Sequence, residues 1–523
     1  MRTTLPWILL GAAILTGGVW LGWMNDRSWS LLANTLLLAA ATSALSVPAG
    51  TLLAWLLVRT DVPGRKAALI VLGVLLFVPL YLVAAGWQAG FGVQGWLTLR
   101  CNGPVLLQGW AAVLWIHAVA ALPWVVLIVG IGLRLVEPEL EEQALLDASP
   151  RQVLFRVTAR VAAGAIGVAT LWVVIVTAGE MTVTDLFGVR TYAEEIYTTF
   201  SIGPDPDSPP LAALPGAFLV GWIVVAGLVL AARLVPHDRP LSLRPPRVFP
   251  LGRWRLPAAA AVGLFFVLLV GVPLGNLAYQ AGIGVVQGDL GPVRVWSPGK
   301  CLAIVAGSPR LYGKEFGWSL AMGALAATAA VAVGAALAWF ARRGPGRMAL
   351  LLAVTAVGLS VPGPILGLAV IRLMTFSHSP LAVFLYNKTI FAPWLALVLR
   401  GLAPATLILW HAFRTVSPAM LDAAAVDGAG RWTRFWRIGL ASRLPALGLA
   451  WLVVLALALG DLAATILVAP PGMMTLSVLI FQLLHSGVQD RVAGICLALA
   501  VGFAAVATVA AVLLRRWAPW REP

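Results

Sequence analysis

Apolar residues run for about twenty positions at a time along this chain, and the charged residues gather in the gaps between the runs. A helix of roughly twenty residues is what crosses the hydrocarbon core of a bilayer. Runs of this kind fall at 5–23, 31–57, 67–90, 105–133, 161–179, 211–232, 256–275, 317–341, 349–375, 390–412, 446–469 and 493–514. The pattern predicts about twelve crossings, hence an all-α integral membrane protein. The first run, "LPWILLGAAILTGGVWLGW", exceeds the apolar core of a cleavable leader and has no small-x-small site before Met24, so it is read as a retained helix.

Composition and charge fix the class and the orientation. The 523 residues are 60% hydrophobic and 11% charged, with a mean hydropathy of +0.93, far from the balance of a soluble domain. If the N-terminus is cytoplasmic, the inner segments are 59–66, 134–160, 233–255, 342–347, 414–443 and the tail. They carry most of the 36 Lys and Arg, which is the positive-inside pattern. Both termini are therefore expected in the cytoplasm of a bacterial plasma (inner) membrane. The net charge of +15 reports topology and membrane lipid, and no nucleic acid partner is expected. Cys101 and Cys301 fall in outer loops and are read either as two free thiols or as a disulfide; Cys496 lies within the last helix.

Internal similarity divides the chain. Gly50, Ala54, Trp55 and Arg59 meet Gly334, Ala338, Trp339 and Arg343 at an offset of 284. Pro138, Ala144, Asp147, Arg151 and Phe155 meet Pro418, Ala424, Asp427, Arg431 and Phe435 at 280, and Gly179–Glu180 meet Gly460–Asp461 at 281. Such a small drift implies two tandem six-helix halves in one orientation, 1–235 and 256–523, joined by a basic, proline-containing cytoplasmic linker at 236–255. Each half has a polar loop between its fourth and fifth helix, at 137–160 and 418–445. Both loops combine helix formers with a Gly or Pro break, as in a short surface helix ending in a turn.

The second loop reads "LDAAAVDGAGRWTRFWRIGLASRLP". Its order of Asp422, Ala423, Ala424, Gly428, Phe435, Ile438 and Leu440 resembles the EAA loop of ABC-importer permeases, with Asp for the usual Glu and Ala441 where Pro is common. In the first loop Glu142, Ala144 and Asp147 fit, while Gln143 stands for Ala and Ala148 for Gly. The resemblance implies the type I ABC importer permease fold and a helix in each half that couples to an ABC ATPase dimer. It also implies a periplasmic or lipid-anchored substrate-binding protein and transport by alternating access. Fused halves with "GDLAATILVAPPGMMTLSVLIFQLLHSG" after the second loop look like the ferric-iron importers, which share this layout with thiamine importers. The chain has no G-x-x-x-x-G-K-[ST] loop, so ATP is expected to be used by the partner; the permease itself is expected to bind no cofactor and to be no enzyme.

Ionisable residues inside membrane helices are functional candidates. Glu180 and Asp461 occupy equivalent positions at the outer ends of helices five and eleven: a carboxylate pair facing a pathway would favour a cation, whereas acids ending helices in water would do nothing. Arg400 and Arg372 read either as pathway residues or as snorkelling or paired cations. His117 and His411 do not match between the halves and read as hydrogen-bonded packing residues. No metal-ligand spacing stands out. The other class open to twelve helices in two halves is an ion-coupled secondary carrier, which needs intramembrane ionisable groups but no coupling loop. A membrane-embedded enzyme lacks any motif in its favour.

Overall fold

The computed structural model describes residues 26–101, 104–202, 221, 247–288, 291–342, 344–376 and 379–517. The run at 5–23, all but one residue of that at 211–232, linker residues 236–246 and Arg343 lie outside them. Within the described residues helices dominate, and seven are long and apolar enough to cross a membrane, or up to nine if each bent pair is one span. The chain is a multi-pass helical membrane protein.

Three of these helices, Asp26–Arg59, Gly109–Arg134 and the run Leu154–Ala178, pack around one apolar cluster that includes Leu53, Leu57, Val125, Val129 and Val173. Gly313–Ala341, Phe391–Arg414 and Arg431–Gly460 pack in the same way around Met322, Ala330, Leu409 and Val454. The close approach inside each bundle recurs at the same place. A β-carbon at Gly50 would sit 2.6 Å from Val125, and one at Gly334 3.1 Å from Thr406, so small residues let these backbones meet.

Two expected crossings are not straight. Positions 67–90 form a pair of helices, Arg65–Leu75 and Leu80–Cys101, bent by 102°, and 349–375 form Gly346–Ser360 and Gly363–Thr375, bent by 106°. Each bend falls on the same dipeptide, Val78–Pro79 and Val361–Pro362. Both prolines hold an extended backbone (ψ 152° and 150°) at the N-cap of the second helix, and proline supplies no N–H to continue the first. The expected run 446–469 also ends early, at Gly460, and gives way to turns.

Helix 255–282, although it follows the linker, packs on the first half: Val262 and Leu269 enter the first cluster. Asn276 donates to the Gly86 carbonyl at 3.0 Å. Among the described residues the all-α expectation fails at an antiparallel hairpin of Ile283–Gly288 and Gly291–Trp296. Its valines 285, 286, 293 and 295 are β-branched and favour extended backbone. Cys101 and Cys301 are both free thiols.

Candidate functional site

Between the bundles and the bent helices lies a cavity of about 670 Å³, lined by Glu180, His117, Arg400, Asp461, Trp124 and Trp172 among others. Glu180, Asp461 and Arg400 are thus brought to one cavity from opposite ends of the sequence. Neither acid ends its helix in open water: the side chains are 12% and 5% exposed. The Glu180 carboxylate accepts backbone N–H groups of Thr182 at 2.5 Å and Val183 at 3.0 Å, and Asp461 Oδ1 accepts that of Ala464 at 3.0 Å. Each acid also has a basic neighbour. His117 Nε2 stands 3.4 Å from Glu180 Oε2, and Arg400 Nε stands 3.5 Å from Asp461 Oδ2 while Nη1 donates to the Val361 carbonyl at 3.2 Å.

The two bases stand 283 positions apart, within the range of 280 to 284 that relates the other paired positions. His117 is buried with Nδ1 2.8 Å from the Val113 carbonyl, as a hydrogen-bonded packing residue would be, and its ring also faces a cavity acid. His411 is exposed near the end of its helix, and Arg372 is exposed on the helix 363–375.

The halves interlock around the cavity. Gly179 lies against Pro362 of the other half's bend, and Gly460 against Pro79. The Tyr81 hydroxyl donates to the Leu459 carbonyl at 3.3 Å. The residues that follow the acids, Met181 and Leu462, are buried together with Ala193, Ala463, Val478 and Phe481 in an apolar seal that joins both halves. Beside it His485 Nε2 reaches Asp185 Oδ2 across the halves at 3.1 Å. The Asp185 carboxylate holds His485, at the end of a helix too short to span, above the ordinary imidazole range. This link is complete below about pH 6.5 and is lost as pH rises through the raised value of His485. The thermal midpoint of the full chain is accordingly expected to fall across that window, and Asp185→Asn to flatten the fall; equal slopes for both proteins would count against the link.

The two polar loops contain short helices, Pro138–Asp147 and Pro418–Val426. Both run into a π-helical turn, Leu154–Thr158 and Arg434–Leu440, before the next long helix. Glu142, Asp147, Asp422, Ala423 and Gly428 are exposed, and Ala144 and Ala424 are half-buried. The most exposed large apolar side chains of the two loop helices are Leu146 at 85% and Val426 at 88%, and these are repeat equivalents at the offset of 280. Neither side chain is packed against the rest of the chain.

The two loop helices end differently. Gly428 adopts φ 80°, and the Gly428 and Ala429 N–H groups return to the Ala425 and Ala424 carbonyls at 3.1 and 2.9 Å, a left-handed helix stop that glycine meets without steric cost. In the first loop Ala148 is extended at φ −139° and no glycine is needed there. Ser149 N–H donates to Gln152 Oε1 at 3.0 Å, and the Gln152 N–H approaches Ser149 Oγ at 3.5 Å, a capping box for the following turn.

The loops are also anchored differently. Glu141, beside the sequence-predicted Glu142, forms a completely buried ion pair with Arg59 and accepts the Thr158 hydroxyl at 2.5 Å. Phe249 N–H donates to the Arg59 carbonyl at 2.8 Å, so the last part of the linker is fixed to the same point. At the equivalent position the second loop has Leu421, buried in the second cluster, while Phe435 stacks against Trp339 with ring centres 5.4 Å apart. No family model matches the chain and no curated protein matches it, so function is read from the cavity and the loop helices themselves.

Proposed function

We propose that this chain is the permease subunit of an ATP-driven importer. Two tandem halves form a pathway for a small solute delivered by a substrate-binding protein, with ferric iron as the cargo. Each half offers one coupling helix to an ABC ATPase dimer in the cytoplasm of a bacterial cell, and both chain termini lie on that side. The observation that carries the reading is the pair of exposed, repeat-equivalent apolar side chains, Leu146 and Val426, on loop helices that lead through π-turns into membrane helices. Closure of the ATPase dimer would draw the loop helices together and rock the halves. The shared cavity would then open on one side as the Met181–Leu462 seal closes the other.

A thiamine-like cargo is the second reading, favoured by the tilted Trp124–Trp172 pair, 5.0 Å between ring centres, on the cavity wall. Uptake of radiolabelled ferric iron and, separately, thiamine separates these cargoes when cells express the chain with an ABC ATPase and a substrate-binding protein. Uptake that stops on ATP depletion and survives collapse of the ion gradients supports the importer. The reverse dependence would identify an ion-coupled carrier.

A further inference from the structure

The hydrogen bonds of His117 determine where its protons sit. Its Nδ1 lies 2.8 Å from the Val113 carbonyl oxygen. A carbonyl only accepts, so Nδ1 carries a proton in every charge state of the ring. In a neutral ring Nε2 would then present a bare lone pair to Glu180 Oε2 at 3.4 Å, an unfavourable meeting of two acceptors. Both Glu180 oxygens already accept backbone N–H groups, from Thr182 and Val183, and this arrangement favours the carboxylate. The extra proton therefore belongs on the imidazole.

We propose that His117 Nε2 is a proton-binding site of the cavity, opposite Glu180, and that a cationic solute is the ligand class taken in exchange. The remaining charged groups on the described cavity wall, Arg400 and Asp461, balance each other, and Tyr81 is the other titratable side chain there. Asp185, on the adjoining short helix, is engaged by His485. With the His117 proton in place the cavity wall is electrically neutral; once the proton leaves, it carries one net negative charge, the state that admits a cation. In the Arg400–Asp461 pair the base is a guanidinium, which keeps its proton. The chemistry differs between the two repeat-related pairs.

Imidazole nitrogen NMR on the full chain in lipid nanodiscs tests the proton site without any transport assay. His117 is assigned among the five histidines by its loss in His117→Gln. At pH 7 both nitrogens should be protonated in the wild type, and in Glu180→Gln the Nε2 proton should be lost while Nδ1 keeps its own. A bare Nε2 in the wild type, or an unchanged ring in Glu180→Gln, overturns the proposal. The exchange with a cation rests on the permease reading and has its own readout, ferric-iron uptake against pH. Wild-type uptake should rise about threefold or more as the pH is raised and the imidazole loses its charge, and His117→Gln should flatten that rise. An equal rise in both proteins overturns the exchange and leaves the permease reading standing. Absence of ATP-dependent uptake at every pH would defeat the permease reading and the exchange built on it, and the NMR result would still decide the proton site.

Discussion

Replacing Glu141 with leucine is expected to destabilise the protein by about 3–5 kcal/mol, the effect of leaving one member of a buried ion pair without its partner. Arg59 and Glu141 have no solvent-exposed side-chain surface, and within reach of the stranded guanidinium are the Leu133 carbonyl at 3.4 Å and the Phe249 ring at 5.9 Å. Leucine is also what the second loop places at the equivalent position, Leu421, so the single change removes a charge without introducing a foreign shape. The double variant Arg59→Met with Glu141→Leu should recover most of the loss, because an apolar pair of similar volume often replaces a buried ion pair at little cost. Thermal unfolding of the wild type, the single and the double variant in one detergent measures this. A single variant as stable as the wild type would mean that the pair does not hold the first loop helix.

The second large effect is functional. Leu146→Asp together with Val426→Asp is expected to abolish stimulation of the partner ATPase by loaded binding protein, with the fold intact because neither side chain is packed. Burial of a leucine or valine against a partner contributes about 1.5–3 kcal/mol, so losing both weakens docking by roughly 3 kcal/mol or more, at least a hundredfold. Each single variant should retain part of the activity. Undiminished stimulation in the double variant would remove these side chains from the interface.

Some of this was legible in the sequence because it depends on local chemistry. The apolar runs set the long helices and Gly428 falls in the expected turn of the second loop, whereas the Val-Pro dipeptides at 78–79 and 361–362 lie inside two runs that read as continuous crossings. Hydropathy alone does not register the bends, since a folded-back helix is as apolar as a straight one. In "LEEQ" nothing local says which glutamate turns inward; that depends on Arg59, 82 positions earlier in the numbering, and on the helical phase that packing imposes. The place of His117 beside Glu180 was hidden for a related reason, since packing sets the helical phase that turns it toward the cavity. The hairpin lay in a loop too polar and short to compete with the membrane signal, although its valines carried the extended preference.

The central claim is that both loop helices touch an ATPase, and site-specific photo-cross-linking in intact membranes tests it most directly. A photoreactive residue placed at 146 or at 426 should each give a covalent adduct with an ABC ATPase subunit expressed together with this chain, and one placed at the buried position 421 should give none. Adducts to lipid alone from both exposed positions would contradict the account.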